Sequence, residues 1–191
     1  ILTLAGHSVT TGLPHPGDAV AVWGRSPYAA RGEAMAARRQ VPIVRIEEAF
    51  LRGLHPGRAR RDAPLGLLVD KTGVHFDAAQ PSDLETMLAT DPLDDGALLA
   101  RARGCIARIA EAQLSKYGAT RTDLPAPDPG YVLVVDQTRD DASVRASRAD
   151  RARFLEMLTV ARQAHPGTRI LIRTHPETAQ GLRPGHFRDG D

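Results

Sequence analysis

The sequence predicts an α/β fold on three observations: short apolar runs recur along the chain, segments with helix-start signals stand between them, and a proline-rich stretch separates two such regions. Ala19-Val20-Ala21-Val22-Trp23 is an apolar run ending at Gly24. Ser26-Pro27 then opens a segment from Tyr28 to Gln40 rich in Ala, Glu and Arg, so a strand followed by a helix is expected. Pro42 to Ile46 reads as a second strand and Leu65 to Asp70 as a third, after an irregular stretch that contains His55-Pro56-Gly57. Lys71-Thr72-Gly73 should turn the chain back through Val74-His75-Phe76-Asp77 as a small hairpin. Ser82-Asp83-Leu84-Glu85 is a capping box that starts a helix. A further helix is expected from Asp95 to about Tyr117, because Leu98, Ala102, Ile106, Ile109 and Leu114 fall largely on one face.

Leu124 to Gly130 carries three prolines in seven residues, a composition that cannot continue a helix and suits a connection between domains. Tyr131 to Asp136 is nearly all apolar, as expected of a parallel strand covered on both faces. A polar loop, a helix near Ala149 to Ala164, the turn His165-Pro166-Gly167 and a strand from Thr168 to Arg173 complete a βαβ unit, whose crossover should be right-handed. Residues 1–125 are thus expected to form one α/β domain and 126–191 part of a second. That second domain is expected to be truncated, since a sheet of two parallel strands leaves its edges and much apolar surface uncovered.

Composition narrows the class. With 42% apolar residues among 191, the chain can build a core. Its longest apolar stretches run to about six residues, far short of the roughly 20 that cross a bilayer. The opening Ile1 to His7 has neither a basic segment nor a long apolar one, so it does not read as a signal peptide. A single cysteine, Cys105, excludes an internal disulfide framework and fits a reducing cytoplasm. The net charge of +2 and the 4% of aromatic residues argue against a nucleic-acid binder. Lys71 and Lys116 are the only lysines, so nearly every cation is an arginine, the side chain that matches phosphate and carboxylate geometry. No Gly-x-Gly-x-x-Gly follows Val135, which excludes a dinucleotide fingerprint.

Ligands of open α/β sheets bind beyond the carboxyl ends of strands, so the loops that leave strands are where chemistry is expected. One leaves Val135 as Asp136-Gln137-Thr138-Arg139-Asp140-Asp141-Ala142-Ser143; another leaves Ile172 as Arg173-Thr174-His175-Pro176-Glu177. If their strands are neighbours, the loops face one crevice and offer carboxylate, amide, imidazole and guanidinium together. A sugar transferase that retains anomeric configuration needs a carboxylate nucleophile, for which Asp140 or Asp141 is available, and donors to the departing phosphate, for which Arg173 and His175 are available. By composition alone, an acidic loop before a helix is more often a helix N-terminus favoured by the dipole, and His-Pro is most often a turn.

The ordered segments Val22-Trp23-Gly24-Arg25, Ile46 to Arg52, Pro64 to Leu67, Gly73 to Asp77, Leu114 to Tyr117, Val135 to Ser143, Thr174 to Glu177 and Gly185-His186-Phe187 resemble the KpsC-type capsular polysaccharide export and biosynthesis proteins. The resemblance runs through nearly the whole chain. It implies a retaining β-Kdo glycosyltransferase of the glycosyltransferase B type, with two Rossmann-like domains. Such an enzyme uses CMP-Kdo as donor to build an oligo-Kdo linker on a phosphatidylglycerol-type lipid; the chain would be most of one module. By this resemblance Asp141 is the nucleophile, Gln137 and Ser143 position the sugar, and His175 with Pro176 is the element that meets the CMP phosphate, with Arg173 beside it. Glu47, Arg52 and Lys116 fall in segments assigned to the acceptor side. An ion pair at a helix start explains the Glu47-Glu48 and Arg52 set equally well, and the dipole at a helix end explains Lys116. Trp23 serves as core or as binding surface on equal grounds. Gly53 and Gly118 depart from the Ser and Asn common in the family. No metal and no cofactor beyond the donor are implied. The expected place is the cytoplasm, with peripheral contact at the inner membrane and with capsule export machinery. A non-catalytic module that grips glycolipid or scaffolds capsule assembly is the alternative.

Overall fold

The computed structural model describes residues 1–55, 62–119 and 123–191. The chain divides into two units: Ile1–Leu54 with Ala63–Gly118, and Ala119–Asp191 with His55–Asp62. Most of the expected His55-Pro56-Gly57 turn lies outside the described residues.

In the first unit Val20–Trp23 (β1) and Ile43–Glu48 (β2) pair in parallel, with Val22 opposite Arg45 and Trp23 opposite Ile46. Ala29–Arg39 (α1) connects them and packs on β1. A Cβ on Gly32 would lie 2.4 Å from Val22 Cγ1, so this helix approaches the strand at a distance that needs glycine. Val22, Ala29, Ala36 and Ile46 are buried there. Leu67–Asp70 (β3) joins the other edge of β2 in antiparallel register.

The expected hairpin after β3 does not form; residues 74–77 are turn and coil. Asp70 supplies the reason. Its Oδ1 accepts from the backbone N of Thr72 at 2.9 Å and of Gly73 at 2.6 Å, and its Oδ2 from Asp83 N at 2.9 Å. These bonds fold the chain into a loop that leads straight to Asp83–Thr90 (α2). That helix starts at the expected cap, with Ser82 Oγ accepting from Glu85 N at 3.1 Å. Gly96–Glu111 (α3) is capped by Asp95 and ends before Lys116, which therefore does not sit at a helix end. Its apolar side, including Leu98 and Ile106, is exposed.

In the second unit Tyr131–Val135 (β4) and Arg169–Arg173 (β5) pair in parallel, Val134 opposite Ile172 and Val135 opposite Arg173. Between them come a short helix, Ala142–Ala146 (α4), where the sequence predicts loop, and Arg151–Ala164 (α5), which packs on β4. Val134, Val144 and Leu158 are buried, whereas Leu133 and Val135 are exposed, so β4 is covered on one face rather than two. A single turn, Pro176–Ala179 (α6), follows β5, and the chain then returns to the loop after β4 through a bridge between Thr138 and Gly185. The mixed α/β character read from the sequence is what the structure shows.

Candidate functional site

The parallel register of β4 and β5 decides which side chains can meet. Asp136 N donates to Arg173 O at 2.9 Å, so both chemistry-bearing loops leave the same end of the strand pair. Asp136 itself is 3% exposed and works inward. Its Oδ1 accepts from Gln137 N at 2.8 Å and from His186 N at 3.1 Å. His186, 2% exposed, brings Nδ1 within 2.9 Å of Gln137 O, so this nitrogen carries the proton. Its ring stacks on Phe154 with centroids 3.9 Å apart. Gly185 is required beside this pair, since a Cβ there would stand 2.2 Å from Asp136 Oδ2.

Beyond that base the loop presents Asp141, whose side chain caps α4 and is 36% exposed. Oδ1 accepts from Ser143 Oγ at 2.7 Å and from Ser143 N at 2.9 Å, while Oδ2 faces Arg183 Nη1 at 3.4 Å. Burial pushes this carboxyl upward, but the Ser143 hydrogen bonds and the Arg183 charge outweigh it and hold the group below the usual carboxylate range. Asp140 is exposed, has a left-handed backbone with φ of 61°, and lends its carbonyl to Arg145.

The second loop places His175 at the start of α6, with Pro176 as the first residue of the turn. His175 Nδ1 accepts from Glu177 N at 3.1 Å, so the neutral ring keeps its proton on Nε2. Arg173 closes β5 and is exposed, as is Gln137. The structure therefore brings Asp141 and Ser143 into direct contact and sets His175, Pro176 and Arg173 on the adjoining loop. Arg183 joins the two, with Nη1 3.4 Å from Asp141 Oδ2 and 3.6 Å from Glu177 Oε2. Sequence reasoning had noticed Gly185-His186-Phe187 only as a motif and missed Arg183 altogether. Gly181, with a φ of 71°, marks the turn that sends the chain back towards the loop after β4, but a turn signal does not name the partners that Arg183 meets there.

Glu47, Arg52 and Lys116 belong to the first unit. Glu47 lies on β2 and covers Gly24, where a Cβ would fall 1.7 Å from its Oε1. It also lines a cavity of about 130 Å³ together with Arg45, Asp70, His75 and Met87. Arg52 is buried, and its Nε donates to Glu48 Oε1 at 2.9 Å. Glu48 is the last residue of β2, so this ion pair sits at a strand end rather than a helix start. Arg52 N donates to Lys116 O at 3.0 Å, and Gly118 N to Gly53 O at 2.7 Å, which makes the two glycines that depart from the family pattern hydrogen-bond partners. Among the described residues no cluster of three or more metal-ligating side chains occurs. None of the described helices is long and apolar enough to cross a membrane.

Comparison with known proteins adds lineage to this geometry. The chain matches the family described as "Capsule polysaccharide biosynthesis protein" over residues 18–122 and 94–189. Lipopolysaccharide-processing protein LpsZ of Rhizobium meliloti is 34% identical over 171 residues, covering 87% of this chain and 38% of its own length. Capsule polysaccharide modification protein LipA of Neisseria meningitidis serogroup B is 31% identical over 176 residues, covering 89% of this chain and 25% of its own. Among solved structures, the chain resembles Thermosulfurimonas dismutans KpsC, beta Kdo 2,4 transferase, with a TM-score of 0.78 and 32% identity over 87% of this chain and 52% of that one. It also resembles Thermosulfurimonas dismutans KpsC, beta Kdo 2,7 transferase, at a TM-score of 0.56 and 26% identity, covering 83% of this chain and 48% of that one. The chain spans 25% to 52% of the length of these proteins.

Proposed function

The chain belongs to the capsule polysaccharide biosynthesis protein family, and from that premise we propose that the whole protein is a retaining β-Kdo transferase. Its donor is CMP-Kdo and its acceptor a Kdo-bearing, phosphatidylglycerol-type glycolipid. The carrying observation is the convergence of Asp141 and the His175 loop at one end of β4 and β5, linked through Arg183. A carboxylate held below its ordinary range stays anionic at neutral pH, as a nucleophile must.

In this reading Asp141 Oδ2 attacks the anomeric carbon of Kdo, the carbon–oxygen bond to phosphate breaks, and its electron pair leaves with CMP. The acceptor hydroxyl then attacks the same carbon, passes its proton to water and displaces Asp141, so two inversions give net retention. His175 Nε2–H donates to the departing phosphate, and Arg173 offsets its charge. Gln137 and Ser143 position the sugar and Pro176 fixes the His-Pro turn. On the acceptor side Glu47 acts from the wall of its cavity, and Arg52 and Lys116 act through the backbone bond that joins them. The architecture is of the glycosyltransferase B type, with Rossmann-like domains at 1–125 and from 126. The enzyme works in the cytoplasm against the inner membrane, beside the capsule export machinery.

Transfer from CMP-Kdo to a Kdo-terminated acceptor by the whole protein tests this. Asp141→Ala should lower the rate about a thousandfold or more while remaining folded. Equal rates in both proteins would remove Asp141 from the chemistry. No transfer by either, with glycolipid binding indifferent to CMP-Kdo, would favour a scaffolding module.

A further inference from the structure

We propose that Arg183 is a positioning residue for this transfer, the side chain that locks the loop bearing Asp141 to the loop bearing His175. The inference rests on the transferase reading above. Arg183 spans the gap with both its backbone and its side chain. On one side Leu182 N and Arg183 N donate to Glu177 O at 2.8 and 3.4 Å, which ties its backbone to α6, two residues after His175. On the other side Nη2 donates to Arg139 O at 2.8 Å. Pro184 O accepts from Arg139 N at 2.8 Å, so both backbone polar groups of Arg139, two residues before Asp141, are taken by this one segment. Between these anchors Nη1 stands 3.4 Å from Asp141 Oδ2 and 3.6 Å from Glu177 Oε2.

Two features separate this arrangement from an ordinary surface ion pair. Glu177 is buried, and Arg183 is mostly so, while Asp141 is the partly open member. The work is also divided between the two terminal nitrogens, one on a carbonyl and one on two carboxylates. A planar guanidinium meets that demand and a single ammonium does not. Arg183 also counts among the groups that keep Asp141 ionised against its own burial. Asp136, Arg139, Asp140 and Arg145 by the first loop and Arg173, His175 and Glu177 in the second are the other charged or titratable groups there.

The test compares wild type, Arg183→Gln and Arg183→Lys in the full chain. Arg183→Gln should lower kcat about a hundredfold, the scale of an ångström of misplacement, with KM changed only a few-fold. The acid limb of its kcat/KM profile should move to higher pH. Arg183→Lys should return that limb towards wild type while recovering only part of kcat, because charge is restored and the fork is not. A kcat within threefold of wild type in Arg183→Gln, or an acid limb that stays in place, overturns the proposal. A wild type without transfer sinks the transferase reading instead. In that case Asp141 carboxyl titration by carbon-13 NMR still decides: a higher midpoint in Arg183→Gln supports the lock, and an unchanged midpoint overturns it.

Discussion

Arg52 in the first unit and Arg183 in the second each hold a carboxylate, yet they leave it in different conditions. The Arg52–Glu48 pair is short, 2.9 Å, with side chains 4% and 24% exposed, and the backbone of Arg52 is bonded on both sides, to Lys116 and to Leu65. The Arg183–Asp141 pair is longer, 3.4 Å, with side chains 20% and 36% exposed, and its guanidinium is shared with Glu177. A short, enclosed pair fixes a strand end. A long, shared one keeps a carboxylate oxygen ionised and reachable, which is what chemistry at a strand end requires.

The sharpest way to break this contrast is stability. Arg52→Met leaves Glu48 without its buried partner and should cost about 2–3 kcal/mol, below the full penalty for a broken buried pair because water reaches part of Glu48. Arg183→Met should cost less, about 1–2 kcal/mol, because its contacts are longer and Asp141 is partly open, although Glu177 is left buried without its guanidinium. Denaturant midpoints of the two proteins measure the difference. Equal losses would mean that the Arg183 pair is structural as well.

Two glycines extend the comparison to close packing. Gly185→Ala drives a methyl to 2.2 Å from Asp136 Oδ2, whose position is set by backbone bonds from Gln137 and His186. It should cost about 1–3 kcal/mol and lower transfer, since the base of the Asp141 loop must move. Gly32→Ala meets a Val22 methyl at 2.4 Å, but it gains roughly 1 kcal/mol of helix propensity and should cost less. Chemical denaturation of both proteins checks the order, and the reverse order would make the first unit the stiffer of the two.

What could be read from sequence follows the range of the interactions concerned. Strands β1, β2, β4 and β5 and the caps Ser82 and Asp95 depend on neighbours a few residues away, and each stands where composition put it. The loops after β4 and β5 were legible as well, because parallel strands place such loops together. The hairpin after β3 was misread because one side chain, Asp70, replaces the ladder, and apolar patterning says nothing about a carboxylate that accepts three backbone bonds. The end of α3 was overextended because the apolar stripe continues past Glu111 to Leu114, a residue that is exposed. Arg183 and His186 were out of reach: their partners Asp141 and Asp136 lie 42 and 50 residues earlier, and no spacing rule operates over such separations.

The smallest effect divides the hold on Asp141 between its two supports. Burial raises this carboxyl, but the Ser143 Oγ and N hydrogen bonds and the Arg183 charge together outweigh it, so the folded group stays ionised to lower pH than an unfolded one. Its contribution to stability is then fully present above the unfolded value, about 3.9, and is lost as pH falls through the folded value. Ser143→Ala removes the Oγ donor and keeps the backbone N–H and Arg183, so the folded value rises and that contribution shrinks. One hydrogen bond is worth about 1 kcal/mol, so kcat/KM at neutral pH should fall about two- to tenfold, with an acid limb moved to higher pH. A limb that moves in Arg183→Gln but not in Ser143→Ala would assign the ionisation of Asp141 to the shared guanidinium alone. A limb that moves in neither would mean that another group sets the acid side of the reaction.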